Sequence, residues 1–151
     1  MATGIGHDIL RRWPGNPLVH LSDLEFPVSD ICNAGVTTFG EEILLLVTVE
    51  GMEGQSSLYL AHSHDGHHFW MEQEPFMRPS SELTHARYEC LAVRDARVTR
   101  LDETYYIAYL AEGDAGFRIG LAKTDDFREV TRLGFITQPD TKNGALFPDR
   151  K

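Results

Sequence analysis

The sequence predicts an all-β protein assembled from repeated four-stranded units, the architecture of a β-propeller. Three observations carry the prediction. Runs of β-branched and aromatic residues alternate with clusters of Gly, Asp and Asn, the punctuation of strands and tight turns. The segment "EEILLLVTVEGMEGQSSLYLAHSHDGHHF" (41–69) recurs as "DETYYIAYLAEGDAGFRIGLAKTDDF" (102–127). Leu60-Ala61 then falls on Leu121-Ala122, Ser63 on Thr124 and Glu42 on Glu103, each 61 positions apart. Each copy also carries the same succession of strands, and four strands recurring every ~40–60 residues is the pattern of a propeller blade. A β-sandwich would bury similar strands, but it does not require this copying.

The elements follow in order. Residues 1–34 form an N-terminal rim segment that leads into blade one, 35–75. Its short first strand (36–39) ends in a polar turn, and a strongly apolar second strand (43–50) follows. A Gly-containing hairpin leads to the third strand, "SSLYLAHS", and the turn "HDG" to the fourth, "HHFWMEQE". Residues 76–94 connect to blade two, 95–138, with strands at 97–101 and 105–112, then "FRIGLAKT" and "FREVTRLGFIT". The second strand of each blade is almost continuously apolar, as expected where both sheet faces are covered. Within 139–151, "NGALFPDRK" reads as the first strand of a third blade. Propellers close with about four to eight blades. The expectation is therefore part of a longer propeller, or a piece that self-associates through its unpaired blade edges.

Bulk composition narrows the partners. The 151 residues include 14 basic and 23 acidic side chains, a net charge of −9. That excludes an extended nucleic-acid or anionic-membrane surface, which needs a basic face. A few converging arginines still allow a small anion site. No apolar run approaches the roughly 20 residues that span a bilayer, and "MATGIGHDILRRWPGNP" lacks the apolar core of a signal peptide. Two cysteines, Cys32 and Cys90, make no disulfide framework. A reduced cytoplasmic protein is the simplest expectation.

The stretch "AVRDARVTR" sets Arg94, Asp95 and Arg97 at the mouth of a buried strand. Such charges either close the strand end as a salt bridge or edge an active site. The histidines of "HSHDGHH" (His62, His64, His67, His68) have donor types suited to zinc, but they flank an outer turn and read as exposed turn residues, with no metal site. Cys32 and Cys90 precede their blades' inner strands and read as free thiols, neighbours near the axis. Trp13, stiffened by Pro14 and Pro17, reads as packing on the rim.

Several strings resemble glycoside hydrolase family 130, the β-mannoside phosphorylases and mannosidases. They are the run from "NPLVHLSDLEFPVSD" through "LAHSHDGHHF", the Asp-x-Arg-hydrophobic-Thr motif at 95–99, "TYYIAY", and the tail "ALFP". The resemblance covers 16–151. It implies a five-bladed propeller about twice this length. It also implies inverting cleavage of a β-1,4-linked mannoside with transfer either to inorganic phosphate, then the co-substrate, or to water, and no other cofactor. By the same resemblance Asp95 is the general acid, acting through a sugar hydroxyl. Asn33, Arg97 and Arg94 then line the sugar or anion site. A carboxylic acid shielded in a funnel suits proton donation, and arginine's planar fork suits phosphate. The pattern departs from the family at Arg94 and Ala96, beside the acid. It departs again at Thr48, where the family has arginine, and at Gln55 and Ser56, where a cation is common. An arabinanase-like glycosidase would need a carboxylate near the first inner strand, and Asp30 stands there. The alternative from another class is a non-catalytic propeller module for sugar binding or assembly.

Overall fold

The computed structural model describes residues 12–148. Eight strands follow in chain order: β1 (Val28–Phe39), β2 (Glu42–Gly51), β3 (Ser56–Ser63), β4 (Trp70–Met71), β5 (Ala92–Leu101), β6 (Thr104–Gly113), β7 (Gly116–Thr124) and β8 (Thr131–Phe135). One helix, α1 (Leu83–Glu89), lies between β4 and β5. Strands β1 to β4 form one antiparallel meander and β5 to β8 another. A single parallel bridge, Ser56 to Ala92, joins them. The fold is all-β, two blades of a propeller of the five-bladed type.

Local chemistry repeats as the strands do. The β1–β2 and β5–β6 hairpins turn on two residues, with Gly40 (φ 59°) and Asp102 (φ 56°) left-handed at the first. That handedness matches the twist of paired strands. At the outer hairpins, the Ser63 hydroxyl accepts the Gly66 N–H at 2.8 Å, and the Thr124 hydroxyl accepts the Phe127 N–H at 3.0 Å. Asp65 accepts the His67 and His68 N–H groups, and Asp126 those of Arg128 and Glu129. The 61-residue offset therefore reproduces a specific Asp-centred turn.

The core explains why β2 is apolar on both faces. Leu44 and Leu46, with Leu58 and Leu60 of β3, pack against Val93, Ile107, Tyr109 and Phe127 of blade two. On the opposite face Val47, Val49, Tyr59 and Met71 are covered by Leu24 and Phe26 of the N-terminal segment. Thr48 falls in line with Leu44 and Leu46 along the strand and is fully buried.

Several boundaries differ from those expected. Both inner strands begin earlier, so the blade boundaries expected at 34/35 and 94/95 fall inside β1 and β5. Register breaks between Cys32 and Ala34, and between Arg94 and Arg97, disrupt the period-two pattern and hide these starts. β4 spans only two of the eight residues expected: the Asp65 turn takes His67 and His68 at its start, and the chain bends away at 73–74 after Met71. Helix α1 lies within the expected connection, anchored through its own last residue, the buried Glu89, to Arg132 of β8. Segment 141–147 carries no strand. It lies along β5, where Thr99 Oγ1 donates to the Leu146 carbonyl at 3.1 Å, and it has no ladder partner there. Residues 149–151 of the expected third-blade strand lie outside the described residues.

Candidate active site at the mouths of the inner strands

The two inner strands meet side by side because glycine removes the obstacle between them. A Cβ on Gly35 would stand 2.6 Å from the Ala96 carbonyl oxygen, well inside contact distance. Beside this crossing lie the two register breaks. Each carries a non-glycine residue in the left-handed region, Asn33 (φ 35°) and Asp95 (φ 57°). Asn and Asp tolerate that conformation better than other side chains. The break turns both side chains toward each other, and Asn33 Nδ2 donates to Asp95 Oδ1 at 2.6 Å. Thr48 supports the pair from β2, donating to the Asn33 carbonyl and accepting the Asp95 N–H, each at 3.1 Å.

The arginines behave differently from the expected strand-mouth salt bridge. Arg94 pairs with Glu112 on β6, and no ion pair among the described residues joins either guanidinium to the Asp95 carboxylate. Ordinary alternation is the reason: Arg94 precedes the register break and shares a face with Ala92 and its partner Glu112, while the adjacent Asp95 does not. Arg97 turns back on its own strand and donates to the Ala96 carbonyl at 2.8 Å. It remains exposed, lining a small cleft with Asp95, Leu110, Ile119, Asn143 and Gly144.

Asn143 is the residue that sequence reasoning missed. It is left-handed (φ 62°), like Asn33 and Asp95, and the next residue, Gly144, packs tightly on Ile119. The signal was available in the paired forms "NAG" and "NGA" (33–35 and 143–145), but nothing local says that 143 returns to Asp95. Thr48, expected only as a lost cation, bonds both inner strands instead. Gln55 and Ser56 likewise join the blades, through Gln55 Nε2 to the Cys90 carbonyl and Ser56 N–H to the Leu91 carbonyl.

The remaining candidates lie apart from the pair. Partial desolvation, then the carboxylates of Asp30 and Asp95, raise the Cys32 thiol above its ordinary value. Cys90 caps α1 beside Gln55, Ser57 and Arg78, so the two thiols occupy different surroundings rather than a common one. Asp30 is occupied locally, accepting the Ile31 N–H at 2.8 Å. His62 stands between Glu42 and Glu72, 3.0 Å from each, and stacks on Trp70. Trp13 stacks on His67 with ring centroids 4.4 Å apart, the rim packing that its sequence predicts.

Comparison with known proteins agrees with this architecture. A family profile described as beta-1,4-mannooligosaccharide phosphorylase matches residues 19–150. A beta-1,2-mannobiose phosphorylase of Listeria innocua is 34% identical over 95 residues, covering 63% of this chain and 25% of the relative. A 1,2-beta-oligomannan phosphorylase of Thermoanaerobacter is 30% identical over 98 residues, covering 63% and 31%. The solved Listeria innocua enzyme, in complex with β-1,2-mannobiose, superposes with a TM-score of 0.78 at 24% identity. That match covers 92% of this chain and 54% of the enzyme, so the chain spans about half the length of that relative. By the extent of the profile match, and by its two propeller blades, the chain belongs to glycoside hydrolase family 130.

Proposed function

We propose that this chain supplies the proton-donating side of a β-mannoside phosphorylase active site, with Asp95 as the general acid. The carrying observation is the contact between Asn33 Nδ2 and Asp95 Oδ1 at the meeting of two inner strands. An amide N–H on Oδ1 leaves Oδ2 as the oxygen that bears the proton. In the reaction, the bond from the mannosyl anomeric carbon to the leaving oxygen breaks. That oxygen takes the Asp95 proton through a sugar hydroxyl. A phosphate oxygen attacks the opposite face, giving inversion and mannose 1-phosphate, and phosphate's own proton restores the acid. Asn33 and Arg97 line the sugar, while Arg94 reaches it only by leaving Glu112. The groups that complete the phosphate site come from outside the two blades described.

We assign the substrate as a β-1,2-linked mannoside in place of the β-1,4 linkage expected from sequence, because both curated relatives are named for β-1,2 linkages. The test uses the protein at its natural length, with β-1,2- and β-1,4-mannobiose, with and without phosphate. Phosphate-dependent mannose 1-phosphate from the β-1,2 substrate is expected, and Asp95→Asn should lower it by about 10³-fold. Full activity in that variant overturns the acid assignment, and phosphate-independent release of mannose makes the protein a hydrolase. Binding of the disaccharide without product identifies a sugar-binding module.

A further inference from the structure

We infer that Thr48 is a positioning residue that aims the Asp95 carboxylate by tying together the two backbone breaks on which Asn33 and Asp95 sit. The inference deepens the reading of Asp95 as the acid and rests on it. Thr48 lies on the inter-blade face of β2, in line with Leu44 and Leu46, and is 0% exposed. A valine of the same shape would suit that apolar row. A hydroxyl buried there is unfavourable unless it is bonded, and this one is bonded twice.

Its two partners are the informative feature. The hydroxyl donates to the Asn33 carbonyl and accepts the Asp95 N–H. Both groups belong to residues omitted from the strand ladders at the register breaks. A bulge releases backbone groups from the ladder and leaves them in need of partners. Thr48 satisfies one such group on each blade with a single oxygen. The Asn33 amide on the Asp95 carboxylate then closes a ring of three hydrogen bonds across the two blades.

The ring holds two residues at φ 35° and φ 57°, in a region that side chains other than glycine rarely occupy. Without the hydroxyl, each break is free to relax toward extended backbone, and the carboxylate swings with it. A short side chain with one donor and one acceptor is required, so serine can replace threonine and valine cannot.

Two measurements test this. In the protein at its natural length, amide hydrogen exchange at Asp95 and the Asn33 side-chain amide resonances are compared among wild type, Thr48→Val and Thr48→Ser. The valine variant should lose protection at Asp95 and shift the Asn33 resonances, while serine retains both. In the same protein, Thr48→Val should lower kcat on the β-1,2 substrate by about 100-fold with KM little changed. Serine should restore kcat to within about threefold of wild type, on the same geometric argument. Should valine unfold the chain, serine against alanine, measured well below both melting temperatures, makes the same comparison. Unchanged Asp95 protection in the valine variant overturns the inference, as does lost protection with unchanged kcat. A wild-type protein inactive on mannosides with phosphate instead fails the proposed function, and exchange at Asp95 still decides whether Thr48 holds the pair.

Discussion

Asn33 and Asp95, 62 residues apart in sequence, meet at 2.6 Å as the two left-handed residues of adjoining inner strands. The contact is the point where the internal repeat becomes a site. One blade supplies the carboxylate proposed as the acid, and the preceding blade supplies the amide that bonds to it.

Removing the orienting amide should cost activity more than stability. A hydrogen bond to a neutral group, as the protonated acid is, is worth about 0.5–1.5 kcal/mol, so Asn33→Ala is expected to lower kcat/KM by about 3- to 10-fold. Asn33→Asp should be worse, because it faces one carboxylate with another. Steady-state phosphorolysis with a parallel melting curve checks both; activity equal to wild type in Asn33→Ala would remove the pair from the mechanism.

The crossing of the inner strands depends on Gly35. An added Cβ meets the Ala96 carbonyl oxygen, a backbone atom that cannot rotate away. Gly35→Ala should destabilise by about 1–3 kcal/mol, the usual range for overpacking, and should weaken the Asn33–Asp95 contact as well. Gly40→Ala, where nothing stands within 4 Å, should show only the cost of its positive φ. Urea unfolding of the two variants separates clash from conformation.

Helix α1 is fastened by a buried charge. Glu89 is 0% exposed and accepts Arg132 Nε of β8 at 2.9 Å. Burial, together with this carboxylate, also pushes the neighbouring Tyr109 phenol far above its ordinary value. Glu89→Ala leaves Arg132 without its anion, and a loss of about 3–5 kcal/mol is expected. Exchange should rise first in α1. A denaturation midpoint within error of wild type would contradict the account.

The Asp-centred turns give the fold an acid limit. His68, with the N–H groups of His67 and His68, holds the Asp65 carboxyl well below the usual range. The N–H groups of Arg128 and Glu129 also lower the Asp126 carboxyl. Because both folded values are depressed, their stabilisation is complete above the unfolded value of about 4. It is lost as pH falls through the folded values. Asp65→Asn and Asp126→Asn should therefore melt below wild type at neutral pH, with the gap closing at strongly acidic pH. A gap that is constant with pH would rule out titration as its source.

Cys32 reports on the charge of Asp95. Desolvation contributes most to the raised thiol, and the Asp30 and Asp95 carboxylates add to it. In a Cys90→Ser background at mildly alkaline pH, Asp95→Asn should speed thiol modification, since less anionic surroundings favour the thiolate. An unchanged rate would mean that Asp95 exerts no field at Cys32.

By itself the sequence determined the strands, their grouping into two blades and the family. Leu44, Leu46, Leu58 and Leu60 repeat with the period of a sheet, and Ser63-Asp65 against Thr124-Asp126 repeats a turn whose hydrogen bonds are local. Such features need only neighbours in the chain. Tertiary structure alone decided which side chains share the site. Arg94 is adjacent to Asp95 in sequence yet serves Glu112, while Asn33, which the resemblance already placed in the site, is joined there by Thr48 and Asn143 from two other segments. The physical reason is the bulge. It interrupts alternation at 32–34 and 94–97, reverses the side-chain directions that periodicity predicts, and frees backbone groups that only a distant hydroxyl satisfies.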